Sequence, residues 1–275
     1  MNDPDSYDAY SEFQRNDAAE LVPYIVAQVH WKPSESILDF GCGSGYITKN
    51  VLLPALEANY PDGGRSVFAV DISKKMVDFA SIKYQHPNIT YMTVDIMKDE
   101  CEFPCKFDKV FSFHVLHWIP DQRKALQILH SLMKPNGEIG FYFISNAAVF
   151  SVYDAMSKNP IWAPYLQDVQ NYIPKTFYSS DSGTDMSTML NSIGFFVHES
   201  TMFSRSFNFP SVEEMIDAAM AANPFIGRIP AEMQAAYRDN FRSEFTPFLH
   251  FAPTSESPFA IKVAYQIVLV RAQRL

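Results

Sequence analysis

The stretch ILDFGCGSGYIT, residues 37 to 48, passes from apolar residues through one acid, Asp39, into glycines at alternate positions, Gly41, Gly43 and Gly45. An apolar run that breaks at a glycine turn is how a buried strand feeds a helix, and glycine lets a ligand come close to the backbone. A dinucleotide fingerprint, G-x-G-x-x-G, would need its third glycine where Tyr46 stands. Asp39, two residues before the turn, would also repel a pyrophosphate and attract a cation. The ligand expected here carries positive charge.

Outward from this turn, short runs rich in Val, Ile and Phe recur at 36–40, 66–71, 88–95, 109–115 and 138–144, separated by segments of helical spacing. The alternation predicts a parallel, doubly wound, Rossmann-like sheet. Ser73 and Asp121 are placed to cap two of its helices, the second expected to stop at Pro135, Asn136 and Gly137. Two longer extended runs, 195–209 and 259–272, are expected to pair as an antiparallel edge and complete seven strands. Residues 146–192 and 211–251 interrupt the pattern with helical sequence crowded with aromatic residues and methionine, among them Phe150, Tyr153, Trp162, Met215 and Phe225. Inserted late in such a fold, they are expected to form a helical cap over the carboxyl ends of the strands, around an apolar pocket.

With 275 residues, 47% of them hydrophobic, the chain can bury a full core, and no polar tract divides it. One domain is expected, with a ligand-binding core at 36–145 and cap segments at 1–31, 146–192 and 211–251. A formal charge of −9 opposes binding to nucleic acid, which depends on clustered Lys and Arg. Cys42, Cys101 and Cys105 are an odd set without zinc spacing, read as free thiols in a reducing compartment with no metal. No leader-like apolar segment and no run of 18 apolar residues occurs, so a cytoplasmic protein without a membrane span is expected, a homodimer being compatible with it.

Asp71 and Asp95 end the second and third strands as Asp39 ends the first. A carboxylate at Asp71 can accept both hydroxyls of a ribose. Asp95 can accept from an adenine amino group while Ile72 and Ile96 pack on the ring; taken alone, it reads equally well as a helix cap. Three strand-ending aspartates around a D-x-G-x-G turn fit a cationic nucleoside, S-adenosyl-L-methionine (SAM), whose spent form is S-adenosyl-L-homocysteine. This spacing identifies a class I SAM-dependent methyltransferase fold.

The methyl acceptor is written elsewhere. No N-P-P-Y type motif for exocyclic amines follows the fourth strand, where FSFHVLHWIPD (111 to 121) stands instead. His114 and His117 are candidate bases for a hydroxyl acceptor. His114 can equally border the cofactor sulfur, and both can be packed neutral rings.

The segments SYDAYSEFQRNDAAELVPYIVAQVHW (6 to 31), LDFGCGSG, VDIS, LHWIPD, ISNAAVFSVYDAMSKNPIWAPYLQDVQNYIP (144 to 174) and LNSIGF together resemble the insect juvenile hormone acid methyltransferases along almost the whole chain. The resemblance implies a small apolar carboxylic acid as substrate, farnesoic acid or its epoxide, juvenile hormone acid. It also implies that Gln14, in the Q-x-x-D-A segment, and Trp118, in L-H-W, hold the substrate carboxylate. The chemistry is consistent: a carboxylic acid with a pKa near ~4.5 is ionised at neutral pH, so the enzyme has to orient a nucleophile rather than generate one. Methyl transfer to another small acid or to a hydroxyl stays open, as does a catalytically silent carrier of SAM or of a lipid acid; the joint presence of Asp39, Gly41, Gly43, Asp71, Gln14 and Trp118 argues for the enzyme.

Overall fold

The computed structural model describes residues 3–59, 66–98, 103, 105–253 and 257–275. In chain order the elements are α1 (Pro4–Ala9), α2 (Glu12–Ala27), β1 (Ser36–Phe40), α3 (Leu53–Asn59), β2 (Ser66–Asp71), α4 (Lys74–Lys83), β3 (Ile89–Thr93), β4 (Phe107–Phe113), α5 (Gln122–Leu132), β5 (Met133–Ala147), α6 (Ala148–Lys158), α7 (Ser182–Ile193), β6 (Phe195–Phe209), α8 (Val212–Ala221), α9 (Gln234–Phe245), β7 (His250–Phe251) and β8 (Ile261–Arg274). Short 3-10 turns join the cap elements.

β1 is buried at four of its five residues, as a strand covered on both faces must be. It pairs in parallel with β2 and β4, and the sheet runs β3-β2-β1-β4-β5-β8-β6, with β5, β8 and β6 antiparallel. Seven strands therefore form the main path, as the sequence predicts. The two-residue β7 is an addition, paired to β8 at His250–Lys262. Strand order reverses between β1 and β4, and open α/β sheets hold ligands in the crevice at such a switch point.

Helix starts follow the local chemistry. Ser73 and Asp121 accept from the backbone N–H groups of Met76 and Lys124 and cap α4 and α5. After the glycine turn, Thr48–Leu52 is a π-type turn leading into α3. Pro54 lacks the N–H that an ordinary helical turn would need from it, and the widened turn accommodates the loss. One face of the sheet packs on α2 and α3 through Val22, Ile25, Leu52 and Leu56. The other packs on α5 and α7 through Leu126, Leu129, Met186 and Leu190.

Four expectations change. α5 stops at Leu132, three residues short of the expected Pro135, and residues 133–137 already belong to β5. Residues 146 and 147 complete β5, so the insertion begins at Ala148. Within 146–192, α7 is scaffold: Met186 and Leu190 pack with Phe195 and Val268 on the sheet, because its apolar stripe meets the sheet face rather than the pocket. Likewise only the first part of α2 faces a cavity, since Val22, Ile25 and Val26 are fully buried against the sheet. Cys42 is buried and Cys105 exposed, both free thiols, and Cys101 lies outside the described residues. Among the described residues no helix is long and apolar enough to cross a membrane, and no group of His, Cys, Asp or Glu is placed to hold a metal ion.

Candidate active site

At the switch point, β1 turns through Gly41, Gly43 and Gly45, all at positive φ (82°, 54° and 85°). Gly41 has no room for a side chain, since a Cβ there would stand 2.2 Å from Val115 Cγ2. Around Gly43, by contrast, only Tyr7 lies near, at 3.8 Å. Gly43 keeps the space in front of the turn open, and its N–H donates to Asp71 Oδ2 at 3.0 Å. A cavity of about 290 Å³ opens there, lined by Asp39, Gly41, Gly43, Asp71, Asp95 and Ile96 among others.

Asp71 is oriented by two backbone donors, Gly43 N and Ser73 N, the latter at 2.8 Å on Oδ1. Burial pushes its carboxyl above the usual range, opposed by those two bonds, and each oxygen keeps lone-pair capacity for a ligand hydroxyl. Asp39 is 2% exposed. It accepts from Thr48 Oγ1 at 2.6 Å, and burial raises its pKa to about 7. The sequence reading took Asp39 for a negative charge that attracts a cation; without that cation beside it, the buried carboxyl is costly to ionise. Asp95 receives the N–H of Met97 at 3.1 Å and has Lys98 Nζ 3.4 Å from Oδ2, so it also serves as a turn-capping group. Ile72 is exposed on the cavity rim, while Ile96 is buried in its wall.

A second cavity, about 130 Å³, lies between the sheet edge and the cap. Its walls are mostly apolar, contributed by Phe13, Val149, Phe150, Met215, Phe245 and Val263 among others, and among the described residues no Lys or Arg lines it. Four residues line both cavities: Tyr7, Gln14, His114 and Trp118. They come from α1, α2, the end of β4 and the following 3-10 turn, Leu116–Trp118, which Gln122 Nε2 ties down through the Leu116 carbonyl at 3.0 Å. Gln14 Oε1 is buried there with no hydrogen-bond partner among the described residues. That oxygen is an open acceptor at the junction, while the amide N–H₂ of the same side chain is the group able to donate to an acid.

His114 holds a left-handed backbone, φ 58°, the kind of local strain that clusters at functional sites. Its Nε2 is 3.4 Å from Asp17 Oδ2. Burial, with the Arg205 guanidinium behind Asp17, pushes its pKa down to about 3. Burial also drives His117 well below its ordinary value. Both rings are therefore neutral and weak as bases.

Sequence reasoning passed over the supports of this junction. Asp17, fully buried one helical turn after Gln14, pairs with Arg205 Nε at 2.7 Å and accepts from Tyr265 Oη at 2.7 Å, bracing α2 on β6 and β8. Asp8 on α1, 4% exposed, accepts from Ser44 Oγ (3.0 Å), Lys83 Nζ (2.8 Å) and Tyr84 Oη (2.8 Å) and pairs with Arg15 (3.0 Å). It ties the N-terminal segment to the glycine turn and to α4. The one local signal was the acid of Q-x-x-D-A, which is Asp17; the partners of Asp8 are 36 and more residues away in sequence, apart from Arg15.

The doubly wound sheet, the glycine turn at its switch point and the strand-ending acids around it define a class I SAM-dependent methyltransferase, and residues 38–141 match the methyltransferase domain family. The chain is 32% identical over 247 residues to the juvenile hormone acid O-methyltransferase of Drosophila melanogaster, covering 88% of this chain and 82% of that protein. It is 26% identical to the Bombyx mori enzyme of the same name, over 88% and 85% of the two chains. This protein belongs to the juvenile hormone acid O-methyltransferase family and is a SAM-dependent carboxyl O-methyltransferase. Among solved structures, phosphoethanolamine N-methyltransferase 2 of Haemonchus contortus superposes with a TM-score of 0.55 at 15% identity, over 98% of this chain and 57% of that one. The [4+2]-cyclase SpnF superposes with a TM-score of 0.54 at 13% identity, over 93% and 81%. One fold thus carries different chemistries, and the site has to be read for itself.

Proposed function

We propose that this protein makes the methyl ester of a sesquiterpenoid acid, farnesoic acid or juvenile hormone acid, by a mechanism that needs no base. The observation that carries the reading is the junction: a cavity lined by the glycine turn and three aspartates and a cavity with no charged residue among the described residues of its wall meet at Gln14 and Trp118. An acid with a long apolar tail fits that division, its carboxylate at the junction and its tail under the cap.

In this reading Asp71 accepts the ribose hydroxyls of SAM and Asp95 the adenine amino group. Ile72 and Ile96 pack on the adenine ring, and Asp39 and the backbone at Gly41 and Gly43 face the amino-acid portion. The cation then favours the ionised form of Asp39, which burial alone disfavours. Bound there, SAM supplies a methyl group on a positively charged sulfur, and its transfer to a carboxylate oxygen leaves a methyl ester and neutral S-adenosyl-L-homocysteine.

Gln14 and Trp118 orient that oxygen. The amide and indole N–H groups are neutral donors, so they hold the carboxylate without neutralising it as a bidentate Arg would. Placement of this kind can supply on the order of 7 to 11 kcal/mol. The low basicity of His114 and His117 counts against a hydroxyl acceptor, which would need a base near neutral pH. His114 borders the reacting atoms as a neutral ring.

The test is mass spectrometry of products after incubation with SAM and a panel of fatty, aromatic and terpenoid acids. A methyl ester formed preferentially from farnesoic or juvenile hormone acid is the expected result. Preferential turnover of short or aromatic acids would replace the sesquiterpenoid reading.

A further inference from the structure

On its cap side the apolar cavity holds a polar group that methyl transfer to a carboxylate leaves unused. Of its polar lining residues, Tyr7, Gln14, His114 and Trp118 belong to the junction with the cofactor cavity, and His117 sits beside Trp118 with ring centroids 4.9 Å apart. Tyr265 donates its hydroxyl to Asp17. Tyr153 remains. It is 1% exposed and lines the cavity, and its hydroxyl, which has no hydrogen bond to a described residue, is not among the fully enclosed polar atoms and so opens onto that space.

Its neighbours in the cap are satisfied: Trp162 Nε1 donates to Asn240 Oδ1 at 3.1 Å, and Tyr237 Oη accepts from Asn223 Nδ2 at 3.2 Å. A buried phenol without a partner is disfavoured, and phenylalanine would fill the same space without that cost. The rings packed on Tyr153, Phe225 and Phe241, offer no second polar group to an ordered water, which needs two or more.

The position along α6 gives Tyr153 a place relative to the carboxylate. Phe150 faces the junction side, its ring 6.4 Å from His117. Tyr153 lies three residues further along the helix, about 4.5 Å of rise. Its ring meets Phe225 edge-on at 5.2 Å and stands 6.2 Å from Phe241, both in the cap. Tyr153 therefore faces the tail of an acid whose carboxylate is at Gln14 and Trp118.

We propose that Tyr153 is a specificity-determining residue that donates a hydrogen bond to an ether-type oxygen on the tail of the acid. The inference rests on the sesquiterpenoid reading above. An ether or epoxide oxygen suits the place better than a hydroxyl, because it only accepts, whereas the O–H of an alcohol would need a second partner that the apolar wall does not offer. The tail-oxygenated acid of the pair, juvenile hormone acid, is thereby preferred over farnesoic acid.

The experiment compares wild type and Tyr153→Phe on farnesoic acid and on its terminal epoxide, with S-adenosyl-L-homocysteine affinity as the check that the fold is intact. Tyr153→Phe is expected to lower kcat/KM for the epoxide acid about tenfold, the loss of one hydrogen bond to a neutral group. Turnover of farnesoic acid should stay within about twofold. Equal loss on both acids, or no loss on either, overturns the assignment of Tyr153 while leaving the sesquiterpenoid reading standing. Failure of the wild type to methylate either acid overturns that reading and this inference with it.

Discussion

Asp39 and Asp71 end neighbouring strands with the same side chain, yet their surroundings separate them. Asp71 is held by two backbone N–H groups, whereas Asp39 has a single hydroxyl donor and a pKa raised to about 7. A carboxyl whose folded pKa is raised adds stability that is complete below its unfolded pKa near 3.9 and is lost as pH rises through the folded value. The Tm of the ligand-free protein should therefore fall between about pH 4 and 7, and Asp39→Asn should flatten that fall; an unchanged slope would show that Asp39 does not resist ionisation. At the junction, Gln14→Ala and Trp118→Phe should each reduce kcat/KM by about 1 to 3 kcal/mol with SAM affinity near wild type. With a carboxylic acid as substrate, kcat should show no rise with pH near ~6.5, because the nucleophile is already ionised. Such a rise, abolished by replacing His114 or His117, would restore the hydroxyl-acceptor alternative.

The first helix, α1, is fastened to the core through the buried charge of Asp8, while α2 adds apolar area through Val22, Ile25 and Val26. α1 is one and a half turns long, and Tyr7, which lines both cavities, is held in place through its neighbour Asp8. Asp8 collects Ser44 from the glycine turn, Lys83 and Tyr84 from the end of α4, and Arg15 from α2, whose guanidinium also stacks 3.7 Å over Tyr46. Its carboxyl lies below the ordinary range because the bonds from Lys83, Tyr84 and Ser44 outweigh its desolvation. Removing it leaves those donors without their shared acceptor, at a cost of about 1 to 3 kcal/mol. Asp8→Ala should accordingly speed release of S-adenosyl-L-homocysteine in stopped-flow measurements and expose the N-terminal segment to protease. Wild-type release together with wild-type protection would mean that α1 is held by other contacts.

Across the whole molecule, the scaffold and the cap divide the work. The sheet with its covering helices shapes the aspartate-lined cavity, and α6, α8 and α9 together with the ends of β6 and β8 wall the apolar one. Because that wall is apolar, affinity in the transition state should scale with the tail it covers. Each methylene removed from the acid should cost about 0.8 kcal/mol, close to fourfold in kcat/KM, until the tail no longer reaches the cap. Equal kcat/KM for acetate-sized and farnesoate-sized acids would show that the cavity does not receive the tail.

Strand and helix positions were legible in the chain because they depend on neighbours a few residues apart. The apolar runs at 36–40, 66–71 and 195–209 are strands over those same residues, and Ser73 and Asp121 cap the helices that they precede. The D-x-G-x-G turn likewise announced a cationic ligand, since positive φ and a strand-ending acid are local properties. Gln14 and Trp118, by contrast, were chosen through family resemblance; nothing local distinguishes them from a surface amide and a core ring. The tertiary structure alone brings them together with Tyr7 and His114 where two cavities meet. It alone buries Asp39 and turns α7 onto the sheet. It leaves the hydroxyl of Tyr153 without a partner among the described residues while that of Tyr265, 112 residues later, donates to Asp17. Burial, desolvation and cavity shape are sums over residues distant in sequence, so they come into being only when the chain has packed.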